Sequence, residues 1–128
     1  MVNSYLADSI CPYMREDLET DLITPSGAYE RLGEGQLVDC REQYEWEAGH
    51  IEGAIHIPLG SIMAGATAEL HPGKPVAVIC RTGNRSELAA LMLRARGFEA
   101  DNVVGGVEEW ERQGLPITTP NGAPGRVA

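Results

Sequence analysis

The sequence predicts an α/β domain in which a central parallel sheet carries helices on both faces. Three observations lead there. Val76-Ala77-Val78-Ile79 is a continuous apolar run, the pattern of a strand buried on both sides. Short apolar segments alternate with helical patterns along the chain, and strands joined by helices pair in parallel. Cys80-Arg81-Thr82-Gly83-Asn84-Arg85 stands between the central run and a helical pattern of Leu88, Leu91, Met92 and Ala95. Open α/β sheets place their ligands there, at the carboxyl ends of strands.

Each element has its own signal. Thr24-Pro25 reads as an N-cap followed by proline at the first helical position, opening a short helix that Gly33 ends. Leu37-Val38 is a short strand leading into Asp39-Cys40-Arg41, and Glu42 to Ala48 forms a helical turn or two, stopped by Gly49. Ala54-Ile55-His56-Ile57 is extended and closed by Pro58, because the residue before proline avoids the helical region. A short helix is expected from Leu59 to about Ala66. The helix after the Cys80 loop ends with Arg94 and Arg96 in its last turn and Gly97 beyond it, which suits both the dipole and the cap. Asn102-Val103-Val104 is the last strand. Gly105-Gly106 turns into a helix carrying Val107 and Trp110, which Gly114 and Pro116 stop. The expected division is an acidic extension over 1–21 that packs as a short helix, a domain over 22–117, and a flexible Pro/Gly-rich tail over 118–128.

The bulk numbers set limits. A chain of 128 residues makes one domain with an ordinary core, and 43% hydrophobic with 23% charged residues is a globular composition. No apolar run approaches the roughly 20 residues of a membrane span, and Met1 to Asp21 lacks the basic start and apolar core of a secretory signal. Cys11, Cys40 and Cys80 are an odd number without close spacing, which argues against a disulfide framework and a Cys-x-x-Cys metal or redox site. The expected compartment is a reducing cytoplasm. A net charge of −9 disfavours nucleic acid and anionic membranes as partners. It does not exclude a small anion, because charges beyond about 8 Å are largely screened at physiological salt.

The chemistry is expected at Cys80. Successive backbone N–H groups in a tight turn and the positive end of a helix both favour negative charge. An arginine about 4 Å from a thiolate adds up to roughly 4 kcal/mol at an effective dielectric of 20. The loop therefore reads as a pocket built around a thiolate nucleophile, with Arg81, Thr82, Gly83, Asn84 and Arg85 binding the substrate anion. His50 and His56 read as hydrogen-bonding residues, since no acid at helical spacing makes either a metal ligand. Trp110 reads as core.

Four segments together resemble the single-domain rhodaneses, the thiosulfate sulfurtransferase-like proteins. Leu37-Val38-Asp39-Cys40-Arg41-Glu42 is similar to the family's Asp-x-Arg segment. Gly49-His50-Ile51-Glu52-Gly53-Ala54-Ile55-His56-Ile57-Pro58 is similar to its Gly-His-Ile-x-Gly-Ala-x-x-Ile-Pro segment. The Cys80 loop follows, then Gly105-Gly106-Val107-Glu108-Glu109-Trp110 through Gly114-Leu115-Pro116. The resemblance implies a rhodanese-like fold and transfer of a sulfane sulfur through a Cys80 persulfide. The donor would be a thiosulfate-like anion and the acceptor cyanide or a thiol, with a protein sulfur acceptor as a further possibility and no metal or organic cofactor. It also implies that Asp39 and Arg41 support the site. Two positions depart from the family pattern: Cys40 stands where an aliphatic residue is usual, and Val107 where many relatives carry an aromatic. Cys40 reads as a small apolar filler rather than as a resolving thiol for Cys80.

Two other classes compete. Related phosphatases and arsenate reductases use a loop one residue longer, Cys-x5-Arg, whereas Cys80 to Arg85 is Cys-x4-Arg; the smaller ring suits a sulfur atom better than a tetrahedral phosphate. Non-catalytic regulatory or sulfur-carrier modules are the other class, and many such relatives have lost the cysteine that this chain keeps.

Overall fold

A computed structural model describes residues 21–128. The helix expected in the N-terminal extension, and Cys11 with it, lie outside the described residues.

Alternation of side chains builds the centre. Strand β2 (Gln36–Asp39) and strand β4 (Val76–Ile79) are buried along their whole length. Val38, Val76 and Val78 project to one face and pack on Ile62, Ala89, Ala90 and Leu93. Leu37, Ala77 and Ile79 project to the other and pack on Ala28, Val107 and Trp110. Helices α3 (Leu59–Met63) and α4 (Asn84–Ala95) thus cover the first face, and α1 (Pro25–Glu30) and α5 (Gly106–Arg112) the second. The remaining elements are β1 (Asp21–Ile23), α2 (Gln43–Ala48), β3 (Ile55–His56) and β5 (Ala100–Val103).

All five strands run parallel in the order β1-β5-β4-β2-β3. From β2 the chain steps outward to β3, and from β4 it steps to β5 in the opposite direction. The reversal falls between β2 and β4, and the carboxyl ends of these two strands carry Cys40 and Cys80. Open α/β sheets bind ligands at such a reversal. The expected α/β architecture with helices on both faces is the one observed.

The local signals explain most boundaries. Thr24 Oγ1 accepts the Gly27 N–H at 3.1 Å with Pro25 in the first turn of α1. Glu42 and Glu45 form a reciprocal capping box that starts α2. Two features differ from the sequence expectation. Strand β1 is a three-residue edge strand pairing with β5, too short and too exposed to leave an apolar pattern. Residues 118–128, read as a flexible tail, fold back on the domain. His50 and Thr118 exchange backbone hydrogen bonds at 2.8 and 2.7 Å, and the Arg126 N–H donates to Ala48 O at 2.9 Å. Gly49 permits this contact, because a Cβ there would overlap the Arg126 backbone.

Candidate active site at the end of β4

Cys80 follows β4 directly and is 1% exposed. Its Sγ accepts the Gly83 N–H at 3.1 Å, the Ser86 N–H at 3.3 Å and the Ser86 hydroxyl at 3.3 Å. The chain can turn its N–H groups onto the sulfur because Gly83, the N-cap of α4, sits at φ 110°, a conformation that favours glycine. The sulfur therefore lies at the positive end of a 12-residue helix.

The loop carbonyls face away from it. The Val107 N–H donates to Cys80 O at 2.8 Å and the Glu108 N–H to Arg81 O at 3.1 Å, so the first turn of α5 occupies these acceptors. Gly106 allows the approach: its φ is 65°, and a Cβ there would overlap the Cys80 and Arg81 carbonyls. From β5, Asn102 Nδ2 donates to Gly83 O at 3.1 Å and Asn102 Oδ1 accepts the Ser86 hydroxyl at 2.5 Å. Ser86 has one hydroxyl proton, so Asn102 competes with Cys80 for it, and the two backbone N–H groups are the steadier donors to sulfur.

These contacts decide the ionisation. The Cys80 pKa is lowered to about 4, foremost by a hydrogen bond from the Cys40 thiol, then by the Ser86 hydroxyl and the Ser86 and Gly83 N–H groups; burial opposes ionisation and is outweighed. Cys40 moves the opposite way, held protonated by its hydrogen bond to Cys80 and then by burial.

The two loop arginines have separate tasks. Arg85 grips Glu45 of α2 with two hydrogen bonds, Nη1 to Oε1 at 2.7 Å and Nη2 to Oε2 at 2.9 Å. Arg85 holds the buried Glu45 carboxyl below the usual range, and its own guanidinium is held protonated first by Glu45 and further by the charge of Cys80. Arg81 pairs through Nε with Glu108 at 2.9 Å, both side chains about half exposed. Thr82 and Asn84 lie exposed on the outer rim.

Asp39 and Arg41 lie wholly buried beside this loop. Arg41 Nε and Nη2 bind the Asp39 carboxylate, the shortest contact being 2.8 Å, and Nη2 also donates to Gly49 O at 2.7 Å. Asp39 thus pairs with Arg41 rather than with a loop arginine. The His56 Nε2–H donates to Arg41 O at 2.8 Å and the His50 Nδ1–H to Trp46 O at 2.9 Å, while the Trp46 ring stacks on both imidazoles. These contacts fix the Asp39–Gly49 segment, and α2 within it delivers Glu45 to Arg85. Among the described residues, no group of three His, Cys, Asp or Glu side chains is placed to hold a metal.

Residues 24–113 match the rhodanese-like domain family. The chain belongs to that family. A rhodanese-related protein of Thermoplasma volcanium superposes with a TM-score of 0.71 at 32% identity, over 77% of this chain and 97% of that one. The putative sulfur carrier protein YrkF of Bacillus subtilis is 41% identical over 75 residues, 58% of this chain and 40% of YrkF. The adenylyltransferase and sulfurtransferase uba4 of Ogataea parapolymorpha is 36% identical over 78 residues, 60% of this chain. The matched part is only 20% of uba4, so the chain spans well under two thirds of either curated relative.

Within the rhodanese-like domain, the structure brings Cys80, Gly83 and Arg85 together at one point, with Asp39 and Arg41 as their buried flank. Ser86, Asn102 and Glu45 complete the site and were not singled out from the sequence. Ser86 left a signal, a hydroxyl in the first turn of the helix after the cysteine loop. Asn102 and Glu45 left none, since each acts only through contacts made by folding.

Proposed function

We propose that this chain is a rhodanese-type sulfurtransferase that carries a sulfane sulfur on Cys80. The observation that supports it best is the set of N–H and O–H donors converging on Cys80 Sγ. They keep the sulfur ionised at neutral pH, so no general base is needed for attack. The Cys80 thiolate attacks the outer sulfur of thiosulfate, the S–S bond of the donor breaks and sulfite leaves with the electron pair. Cyanide or a thiol then attacks the outer sulfur of the persulfide and restores the thiolate. Arg81 is the exposed cation that steers the anion in, while Arg85 shapes the loop and lends its charge to the bound sulfonate. The YrkF relative is named as a sulfur carrier protein, which supports sulfur carriage on this domain and delivery to a protein thiol, and the reducing cytoplasm is the compartment that suits a free thiolate.

Intact-mass measurement after incubation with thiosulfate tests the reading. At the earliest times after thiosulfate is added, wild-type protein should carry one extra sulfur and release sulfite, and with cyanide present it should yield thiocyanate, whereas Cys80→Ser should do none of these while keeping its fold. Equal transfer by both proteins would sink the assignment.

A further inference from the structure

Cys40 and Cys80 occupy equivalent positions on neighbouring strands. Asp39 lies opposite Ile79 in the parallel β2–β4 pair, and the Cys40 N–H donates to Ile79 O at 3.0 Å. One step further along both strands, Cys40 stands beside Cys80, and both side chains belong to the buried cluster under α4. Paired strands run about 4.8 Å apart, within the roughly 4.4–6.8 Å between Cα atoms that a disulfide bridges. Both thiols are free, and Cys40 is 0% exposed. An apolar filler accounts for that burial. It does not account for a second thiol at the register position that faces Cys80.

We propose that Cys40 is the resolving thiol of this site, attacking Cys80 Sγ of the persulfide and discharging the outer sulfur as hydrosulfide. This rests on the persulfide reading above. The Cys40 Sγ–Cys80 Sγ bond forms and the bond from Cys80 Sγ to the outer sulfur breaks, its electron pair going to the departing sulfur. The Cys40 proton leaves with that sulfur as HS⁻. The sulfane sulfur is reduced and the two cysteine sulfurs are oxidised, so no outside oxidant enters. A thiol reductant from solution then returns the disulfide to two thiols.

Loading itself triggers the step. In the unloaded site the negative Cys80 sulfur keeps the Cys40 proton in place. In the persulfide that charge sits one atom further out, and Cys80 Sγ becomes the electrophile. A sulfur delivered without an acceptor at hand would thus be expelled rather than stored.

The test is an oxygen-free, acceptor-free incubation with thiosulfate, stopped by a thiol-alkylating reagent. Intact mass, peptide mapping and an assay of released sulfide are then read together. Wild type should yield a Cys40–Cys80 crosslink in step with released sulfide. Cys40→Val and Cys40→Ser should both retain the extra sulfur on Cys80 and release no sulfide. A wild-type persulfide as long-lived as that of the variants, or a crosslink from Cys80 to Cys11 instead, overturns the proposal. If no protein gains sulfur or releases sulfite, the sulfur-transfer reading itself falls and the discharge with it.

Discussion

The carboxyl ends of β2 and β4 lie side by side, and each carries a cysteine followed by an arginine. Their chemistry is opposite. At the end of β4, two backbone N–H groups point at sulfur because glycine and a helix start leave them without carbonyl partners. At the end of β2, the Arg41 N–H is taken by the Asp39 carboxylate and the Cys40 N–H by Ile79 O. No backbone donor remains there for the Cys40 sulfur, so it keeps its proton and becomes a donor itself. The arginines divide in the same way. Arg41 closes on a carboxylate two residues away and is wholly buried, while Arg81 pairs with Glu108 on α5 and stays about half exposed. Residue type therefore did not decide which cysteine ionises more readily. The direction of the S–H, O–H and N–H donors around each sulfur did.

The comparison can be broken most severely at the buried pair. Asp39→Asn leaves the Arg41 charge uncompensated in the interior, and urea denaturation should show a loss of about 3–5 kcal/mol. A loss below about 1 kcal/mol would mean that the pair does not hold the β2 end in place.

At the β4 end, Ser86→Ala removes one donor from the thiolate, and the Cys80 pKa should rise. A charge-assisted hydrogen bond is worth about 1.5–3 kcal/mol, or roughly one to two pKa units. Ultraviolet thiolate absorbance, measured against Cys80→Ser as the blank, reads this directly. In wild type the signal should persist down to about pH 4. The same lowering, from the ordinary 9.0 to about 4, sets a stability trend. The Cys80 thiolate stabilises the fold in full above pH 9 and loses that contribution as pH falls through about 4. An unchanged midpoint in Ser86→Ala would show that the backbone donors suffice alone.

The arginine contrast sharpens last. Arg85→Ala should lower kcat/KM by the equivalent of about 1.5–3 kcal/mol, because it removes a cation near the sulfur and frees Glu45. Arg81→Ala breaks only an exposed pair with Glu108, worth about 0.2–1 kcal/mol, and should act mainly through substrate capture at low salt. Equal losses for the two variants would mean that both arginines touch the substrate alike.

The fold was legible where a local signal suffices. The four apolar residues of β4, the Thr24-Pro25 start of α1 and the glycine-ended α4 all announce themselves within a few neighbours. Strand β1 is three residues long and partners a strand nearly eighty positions away, so nothing local marks it. The path of residues 118–128 back to Gly49 and His50 is equally silent, since proline and glycine composition does not distinguish a docked segment from a loose one. The site divides along the same line. Cys80, Gly83 and Arg85 are one short motif, whereas the Asn102 and Glu45 contacts span 16 and 40 residues of chain and exist only after the sheet is paired.

Asn102 and the first turn of α5 brace the loop from behind, and both come later in the chain than the cysteine they serve. A ribosome therefore delivers Cys80 well before the parts that hold its loop in the reactive shape. Until β5 pairs and α5 docks, the nascent thiol is an ordinary one, mostly protonated at neutral pH with a pKa near 9.0. The lowered pKa at this position thus marks the completed fold.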